Sequence, residues 1–230
     1  MIEAPVVLAG VPIKEVRNPF LIALVGFEGD SVRYSFGFDK LFKEATGFRC
    51  GSDSLELPRM PEVSAYVLIS EAYVRKAVKE CQVPLSDEET NDVLSEIDDV
   101  LYGSPLLSPL RKAYRSRSAV LFREGEKEVY VDFPKLRARL IASYPLVEEI
   151  RYVDDSLIHL AGYLPLEVYE TRDFSVLKVN DHVWGMVYGL KVPPRRDWIL
   201  IWDGNSVSLI ELVDLQQEAG APRDNALREG

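Results

Sequence analysis

The stretch from Trp198 to Leu212 constrains the fold more than any other part of the chain. Two β-rich runs, Trp198 to Trp202 and Ser206 to Leu212, flank Asp203-Gly204-Asn205. Gly, Asn and Asp reach the positive-φ conformations that a tight hairpin turn needs, so an antiparallel strand pair is expected here. Side chains alternate across a strand, which puts Trp198, Leu200 and Trp202 on one face. That face reads first as core, because large aromatic side chains are mostly buried. Left exposed, Trp198 and Trp202 would form an interaction surface.

The same punctuation recurs along the chain. Val6 to Leu8 reads as a short strand. Phe20 to Phe27 and the alternating Val32, Tyr34, Phe36 and Phe38 lie on either side of Glu28-Gly29-Asp30, which predicts another hairpin. A short helix is expected over Asp39 to Ala45, stopped by Gly47. A loop follows from Phe48 to Pro61, then a β-rich run from Val63 to Ile69. Tyr73, Val74, Ala77, Val78 and Cys81 share a helical face, with Ser70 as the cap. Ser86 and Glu89 have the spacing of a capping box. Asp87, Glu88 and Glu89 suit the positive end of a helix, and Gly103 and Pro105 supply a stop, so a helix runs from Ser86 to Tyr102.

Beyond Pro105 the pattern predicts a helix over Ser108 to Ser116 and a hairpin of Ala119–Arg123 with Glu128–Phe133. A second helix is expected to start at Pro134 and carry Leu136, Leu140 and Ile141. From Glu149 onward the chain reads as all-β, including a hairpin of Val176–Val179 with Val183–Leu190 about Asn180-Asp181. The expected class is therefore α+β: an N-terminal mixed sheet with short helices, then C-terminal antiparallel hairpins forming a sheet or small barrel. The expected division is an α+β domain with an acidic helix over 1–104, a basic helix–hairpin–helix connector over 105–148 and a β-rich domain over 149–215. The polar tail, 216–230, is read as disordered.

Hydrophobic residues make up 47% and charged residues 28% of the chain, which excludes low-complexity disorder for most of it. The longest apolar run, Phe20 to Val25, is strand length, far short of the roughly 20 residues that cross a membrane. No basic leader precedes it, so the cytoplasm is the expected location and no membrane partner is expected. Only three Gln and three Thr occur, which fits a heat-adapted source. The two cysteines, Cys50 and Cys81, have no CxxC spacing and no neighbouring histidine, which speaks against a zinc site. Buried free thiols are the preferred reading. The alternative is one disulfide closing a loop of about 30 residues, as intracellular hyperthermophile proteins allow.

The sharpest short string is Tyr152-Val153-Asp154-Asp155. It resembles the Tyr-x-Asp-Asp turn of the reverse-transcriptase palm, where adjacent aspartates on a hairpin hold divalent metals. The resemblance covers four residues and implies two-metal phosphoryl transfer. A palm also needs an upstream aspartate at the end of a strand. The nearest, Asp132, precedes a predicted helix instead. A solvated turn is the preferred reading. In a looser version, Glu148, Glu149, Asp154 and Asp155 hold Mg²⁺ in a nuclease-like site, with His159 or a lysine assisting. Arg49-Cys50-Gly51-Ser52-Asp53 echoes the Gly-Ser motif of nucleotidyltransferases, but the later Asp-x-Asp pair is missing, so the segment reads as a loop. No Walker A, Gly-x-Gly-x-x-Gly, Gly-x-Ser-x-Gly or His-Glu-x-x-His string occurs.

The net charge of −10 is unevenly spread. Residues 1–104 hold ten basic and eighteen acidic side chains, residues 105–145 nine and four, and residues 146–230 eight and fifteen. The basic island comprises Arg111, Lys112, Arg115, Arg117, Lys135, Arg137 and Arg139, with Tyr114 and Tyr130 as stacking surface. Brought together, these side chains would contact phosphates or an acidic protein. The preferred reading is local neutralisation of the acidic helix. Missing catalytic strings and scarce histidine point to a non-catalytic binding or assembly protein with no cofactor, a subunit of a larger complex joined to a protein partner or to itself. A metal-dependent phosphodiester enzyme and a nucleic-acid-binding module are the alternatives.

Overall fold

The computed structural model describes residues 1–146 and 153–213. The chain runs β1 (Ile2–Ala9), β2 (Pro19–Phe27), β3 (Ser31–Tyr34), α1 (Phe38–Thr46), β4 (Leu55–Pro58) and α2 (Glu62–Lys79). It continues as α3 (Asp87–Leu101), α4 (Leu107–Ser116), β5 (Ala119–Arg123), β6 (Val129–Val131) and β7 (Leu136–Pro145). The last elements are α5 (Asp155–Thr171), α6 (Val176–Tyr188), β8 (Trp198–Asp203) and β9 (Ser206–Leu212). The α+β class expected from the sequence is the class observed. No helix among the described residues is long and apolar enough to cross a membrane.

Seven strands form one mixed sheet in the order β1-β8-β9-β7-β2-β5-β6, and β1 also pairs with β2. That extra pairing closes β1, β8, β9, β7 and β2 into a ring. The outer edge of β2 is shared. Pro19 to Ile22 pair antiparallel with β5, and Val25 to Phe27 pair parallel with β7. Strands from both ends of the chain thus lie in one ring, with Val7 of β1 opposite Trp202 of β8. Alternation sends Val7, Ile22, Leu200, Trp202 and Val207 to one apolar cluster and Val6, Ala23, Val25, Ile201 and Ile210 to the other. The first cluster draws residues from all six helices, and the second from α2, α5 and α6.

Several elements match their sequence signals. Ser86 and Glu89 form the capping box of α3, with Ser86 Oγ accepting from Glu89 N at 3.2 Å and Glu89 Oε2 accepting from Ser86 N at 2.7 Å. Gly47 closes α1 at φ 80°. The turn between β8 and β9 holds Gly204 at φ 68°, where a Cβ would meet Tyr102 at 2.8 Å.

Other elements correct the sequence reading, each for a physical reason. Residues 20–27 and 31–38 do not form a hairpin. Both edges of β2 are taken by β1, β5 and β7, and β3 pairs with β4 in a separate two-stranded sheet. The run Val63 to Ile69 is helical, the buried first half of α2. It feeds both apolar clusters, so no polar face interrupts it and its period is hidden. The helix expected from Pro134 is the strand β7, held between β2 and β9. A register shift between Leu140 and Ala142 breaks its alternation at Ile141, which made the pattern look helical. Residues 105–146 are therefore helix–hairpin–strand.

The all-β reading of residues 149–215 is also corrected, because α5 and α6 occupy much of it. Asp154, read as a turn residue between strands, is the N-cap of α5. Asn180-Asp181, read as a hairpin turn, lies buried in α6 and serves two strands. Asn180 Oδ1 accepts from Gly10 N at 3.0 Å, and Asp181 Oδ1 accepts from Leu200 N at 2.8 Å. Of the predicted C-terminal hairpins, β8–β9 is formed. The tail expected to be disordered, 216–230, lies outside the described residues.

Candidate functional site

The basic island lies on α4, on β7 and at their ends, and of its side chains Arg111 alone is buried. Arg111 on α4 is 4% exposed. Its Nε and Nη2 donate to the two oxygens of Asp98 on α3 at 2.9 and 2.6 Å. Its Nη1 donates to Ser70 Oγ at 2.8 Å and to Glu71 at 3.2 Å, both on α2. Burial alone would pull the guanidinium down, but the Asp98 hydrogen bonds and charge more than offset it, so the group is held above its ordinary value. Burial and the Asp98 charge push the Tyr66 phenol up, which keeps it a donor to that carboxylate at 2.6 Å. Arg115 holds the other side of Glu71, with Nε at 2.9 Å from Oε2, and reaches Asn91 at 2.7 Å. This network ties α2, α3 and α4 together.

Four of the remaining island side chains also meet carboxylates. Lys112 pairs with Glu128 at 2.5 Å, and Arg139 with Glu28 at 2.8 Å. Lys135 and Arg117 share Glu3, at 3.0 and 3.5 Å, and Arg117 also lies over the Tyr114 ring at 5.1 Å. Arg137 sits on β7 opposite Gly26 of β2. Exposed, internally paired cations gain little for stability and leave little charge for a polyphosphate.

The carboxylate candidates lie at the start of α5. Asp154 Oδ1 accepts from Leu157 N at 2.8 Å, the ordinary work of an N-cap, and Asp155 follows in the exposed first turn. His159 is exposed on the same helix. Glu148 and Glu149 lie outside the described residues. Among the described residues no group of three His, Cys, Asp or Glu side chains could hold a metal ion. Asp53 in the nucleotidyltransferase-like string accepts from Phe36 N at 2.9 Å, Phe38 N at 3.0 Å and Ser35 Oγ at 2.8 Å. Burial would raise its carboxyl, and those bonds outweigh burial and hold it low.

Trp202 is buried in the first apolar cluster, and Trp198 is half-buried. The Trp198 indole donates to Glu211 at 3.3 Å, and Arg195 stacks on its ring at 4.9 Å. Cys50 and Cys81 form a disulfide with Cα atoms 6.0 Å apart, against the free-thiol reading. It pins the α1–β4 connection to the end of α2.

One feature escaped the sequence reading. β6 is the end strand of the sheet, with β5 as its only strand neighbour among the described residues. Its Val129 and Tyr130 are 56% and 53% exposed. A three-residue run beside a Glu-Gly-Glu-Lys turn was legible as a strand, but nothing local marked it as an edge. Beside it, where the edge of β2 passes from β5 to β7, lies a cavity of about 620 Å³. Glu3, Leu24, Arg117, Tyr130, Phe133 and Lys135 line it, with Asp132 at its rim. Arg172 braces the Phe133 wall from outside, 4.8 Å over that ring, and its Nη2 donates to the Asp132 carbonyl at 2.6 Å. Among the described residues the arrangement offers a strand edge with no further strand beside it, apolar side chains and charges of both signs. It suits recognition rather than bond-making. No family model and no curated protein matches the chain.

Proposed function

We propose that this chain is a non-catalytic binding or assembly protein, a subunit of a larger complex, and that its partner adds a strand to the β6 edge. The observation that carries the reading is this end strand with two large exposed apolar side chains, Val129 and Tyr130, beside a lined cavity. Proteins normally blunt such edges with charge or cover, so an apolar one marks a pairing site. The internal pairing of the basic island weighs against the nucleic-acid reading. The cap role of Asp154 weighs against the metal-dependent enzyme. The cytoplasm is the proposed location. The disulfide is compatible with it in a heat-adapted source, which the three Gln and three Thr also suggest.

The test is purification of the native complex with the tagged chain, read by native mass spectrometry. Wild type and Asp154→Asn/Asp155→Asn are expected to carry the same partner, or a second copy, at fixed stoichiometry. Val129→Lys/Tyr130→Lys, exposed substitutions that leave the core intact, should lose it. Retention of the complex by the lysine variant would overturn the edge-docking reading.

A further inference from the structure

Away from the β6 edge, a groove of about 470 Å³ runs between α2 and the start of α3. Val74, Val78 and Leu85 give it an apolar floor. Arg75, Lys79 and Arg115 stand at its rim. The three cations are not equivalent. Arg115 is committed to Glu71 and Asn91. Arg75 and Lys79 are exposed, and neither has a carboxylate partner among the described residues. They stand four apart on one helix, an arrangement in which like charges repel and destabilise the helix by a few tenths of a kcal/mol. Lys79 in the last turn gains something from the helix dipole, but Arg75, a turn earlier, gains less. An anion bridging both would turn the repulsion into attraction.

The groove is also preformed. Its far wall is the connection from α2 to α3. Cys81 fixes that segment by the disulfide to Cys50. Val83 N donates to Ala77 O at 3.0 Å, and Leu85 N donates to Val83 O at 2.9 Å. The capping box then fixes the first turn of α3, whose Asp87 also lines the groove and limits how much anionic charge the groove takes. Glu71 also lines the groove, but its carboxylate is taken by Arg111 and Arg115, whose further bonds to Asp98 and Asn91 hold α2 against α3 and α4. A rigid site of this size, apolar below and cationic at one side, matches the general character of small-molecule sites.

We propose that the α2–α3 groove binds a small amphiphilic anion, with a carboxylate or phosphate head between Arg75 and Lys79 and an alkyl or aromatic body over Val74, Val78 and Leu85. A nucleic acid does not fit, because two cations and an apolar floor offer no track for a backbone.

The test titrates the full chain with octanoate, octyl phosphate, octylamine and inorganic phosphate, following amide shifts of residues 74–91 by NMR and affinity by calorimetry. Octanoate or octyl phosphate is expected to move these amides at millimolar concentration or below, and which of the two binds better identifies the head group. Octylamine and inorganic phosphate should bind at least about tenfold more weakly. Arg75→Gln/Lys79→Gln should weaken the anions by a similar factor, with an unchanged circular dichroism spectrum. Arg75→Lys, which keeps the charge, should retain most of the binding in an otherwise wild-type chain. The proposal is overturned if neither octyl anion moves the groove amides, if octylamine binds as well as the anions, or if the glutamine variant binds them undiminished. Inorganic phosphate matching octyl phosphate would also overturn it, since the apolar floor would then play no part.

Discussion

Three buried aspartates place a carboxylate where a distant backbone lacks an acceptor. Gly37 and Pro61, the residues ahead of α1 and α2, make no side-chain cap. Asp53 accepts from Phe38 N at 3.0 Å, and Asp203 accepts from Glu62 N and Val63 N at 3.0 and 2.7 Å. Both helix starts are thus capped across tertiary space rather than from the adjoining residue. Asp181 does the same for Leu200 on β8, and burial lifts its carboxyl from the ordinary 3.8 to about 6, against the bonds from Leu200 N and Lys178. Between those values the folded chain holds a proton that the unfolded chain has released. The resulting stabilisation is full below about pH 4 and is lost as pH rises through about 6. A shift of this size corresponds to roughly 3 kcal/mol. Asp181→Asn keeps an acceptor for Leu200 N and removes the titration. The stability of wild type relative to this variant, from urea unfolding at several pH values, should fall by up to roughly 3 kcal/mol across that window. A flat difference would show that Asp181 does not titrate there.

At the scale of elements, the disulfide joins residues 31 apart in sequence and closes β4 and α2 into one loop. A cross-link over such a loop stabilises by about 3–4 kcal/mol in the chain-entropy account. Cys50→Ala/Cys81→Ala should lower the urea-unfolding free energy by about that amount, and a loss under about 1 kcal/mol would mean the pairing adds little beyond packing. Element identity was legible where local chemistry sufficed. The α3 capping box, the Gly47 stop and the Asp-Gly-Asn turn act through residues within one turn of each other. It was not legible for α2, whose apolar residues feed two clusters, nor for α6, whose Asn180 and Asp181 imitate a turn while facing strands. The candidate site fared similarly. The basic residues were visible, but their carboxylate partners come from elements up to 132 positions away, as Lys135 and Glu3 do.

For the whole molecule, the ring of strands draws β1 and β2 from the first 27 residues and β8 and β9 from residues 198–212. Fragment 1–104 keeps β1 and β2 but loses β8 from one edge of β1, and β5 and β7 from the outer edge of β2. It also loses α4, and with it the Arg111 that neutralises Asp98 and Glu71. Leaving those carboxylates buried without their cation costs several kcal/mol. The isolated fragment should show no cooperative thermal transition and poorly dispersed amide resonances. A cooperatively unfolding fragment would mean that the N-terminal part has a sufficient core of its own. Pairing between the chain's ends also closes long loops before it is rewarded, so folding is expected to be slow for a chain of this size.

By itself the sequence determined the α+β class, the β8–β9 hairpin, the β5–β6 hairpin and the capped acidic helix, because turns and caps are set by neighbouring residues. Only the tertiary structure decided that residues 63–69 are helical and 136–145 extended. It also decided that most of the basic island is paired with carboxylates of the same chain, that Cys50 meets Cys81, and that β6 is left as an apolar edge. Each of these depends on which partner occupies a given face or edge, and that partner is far away in the chain.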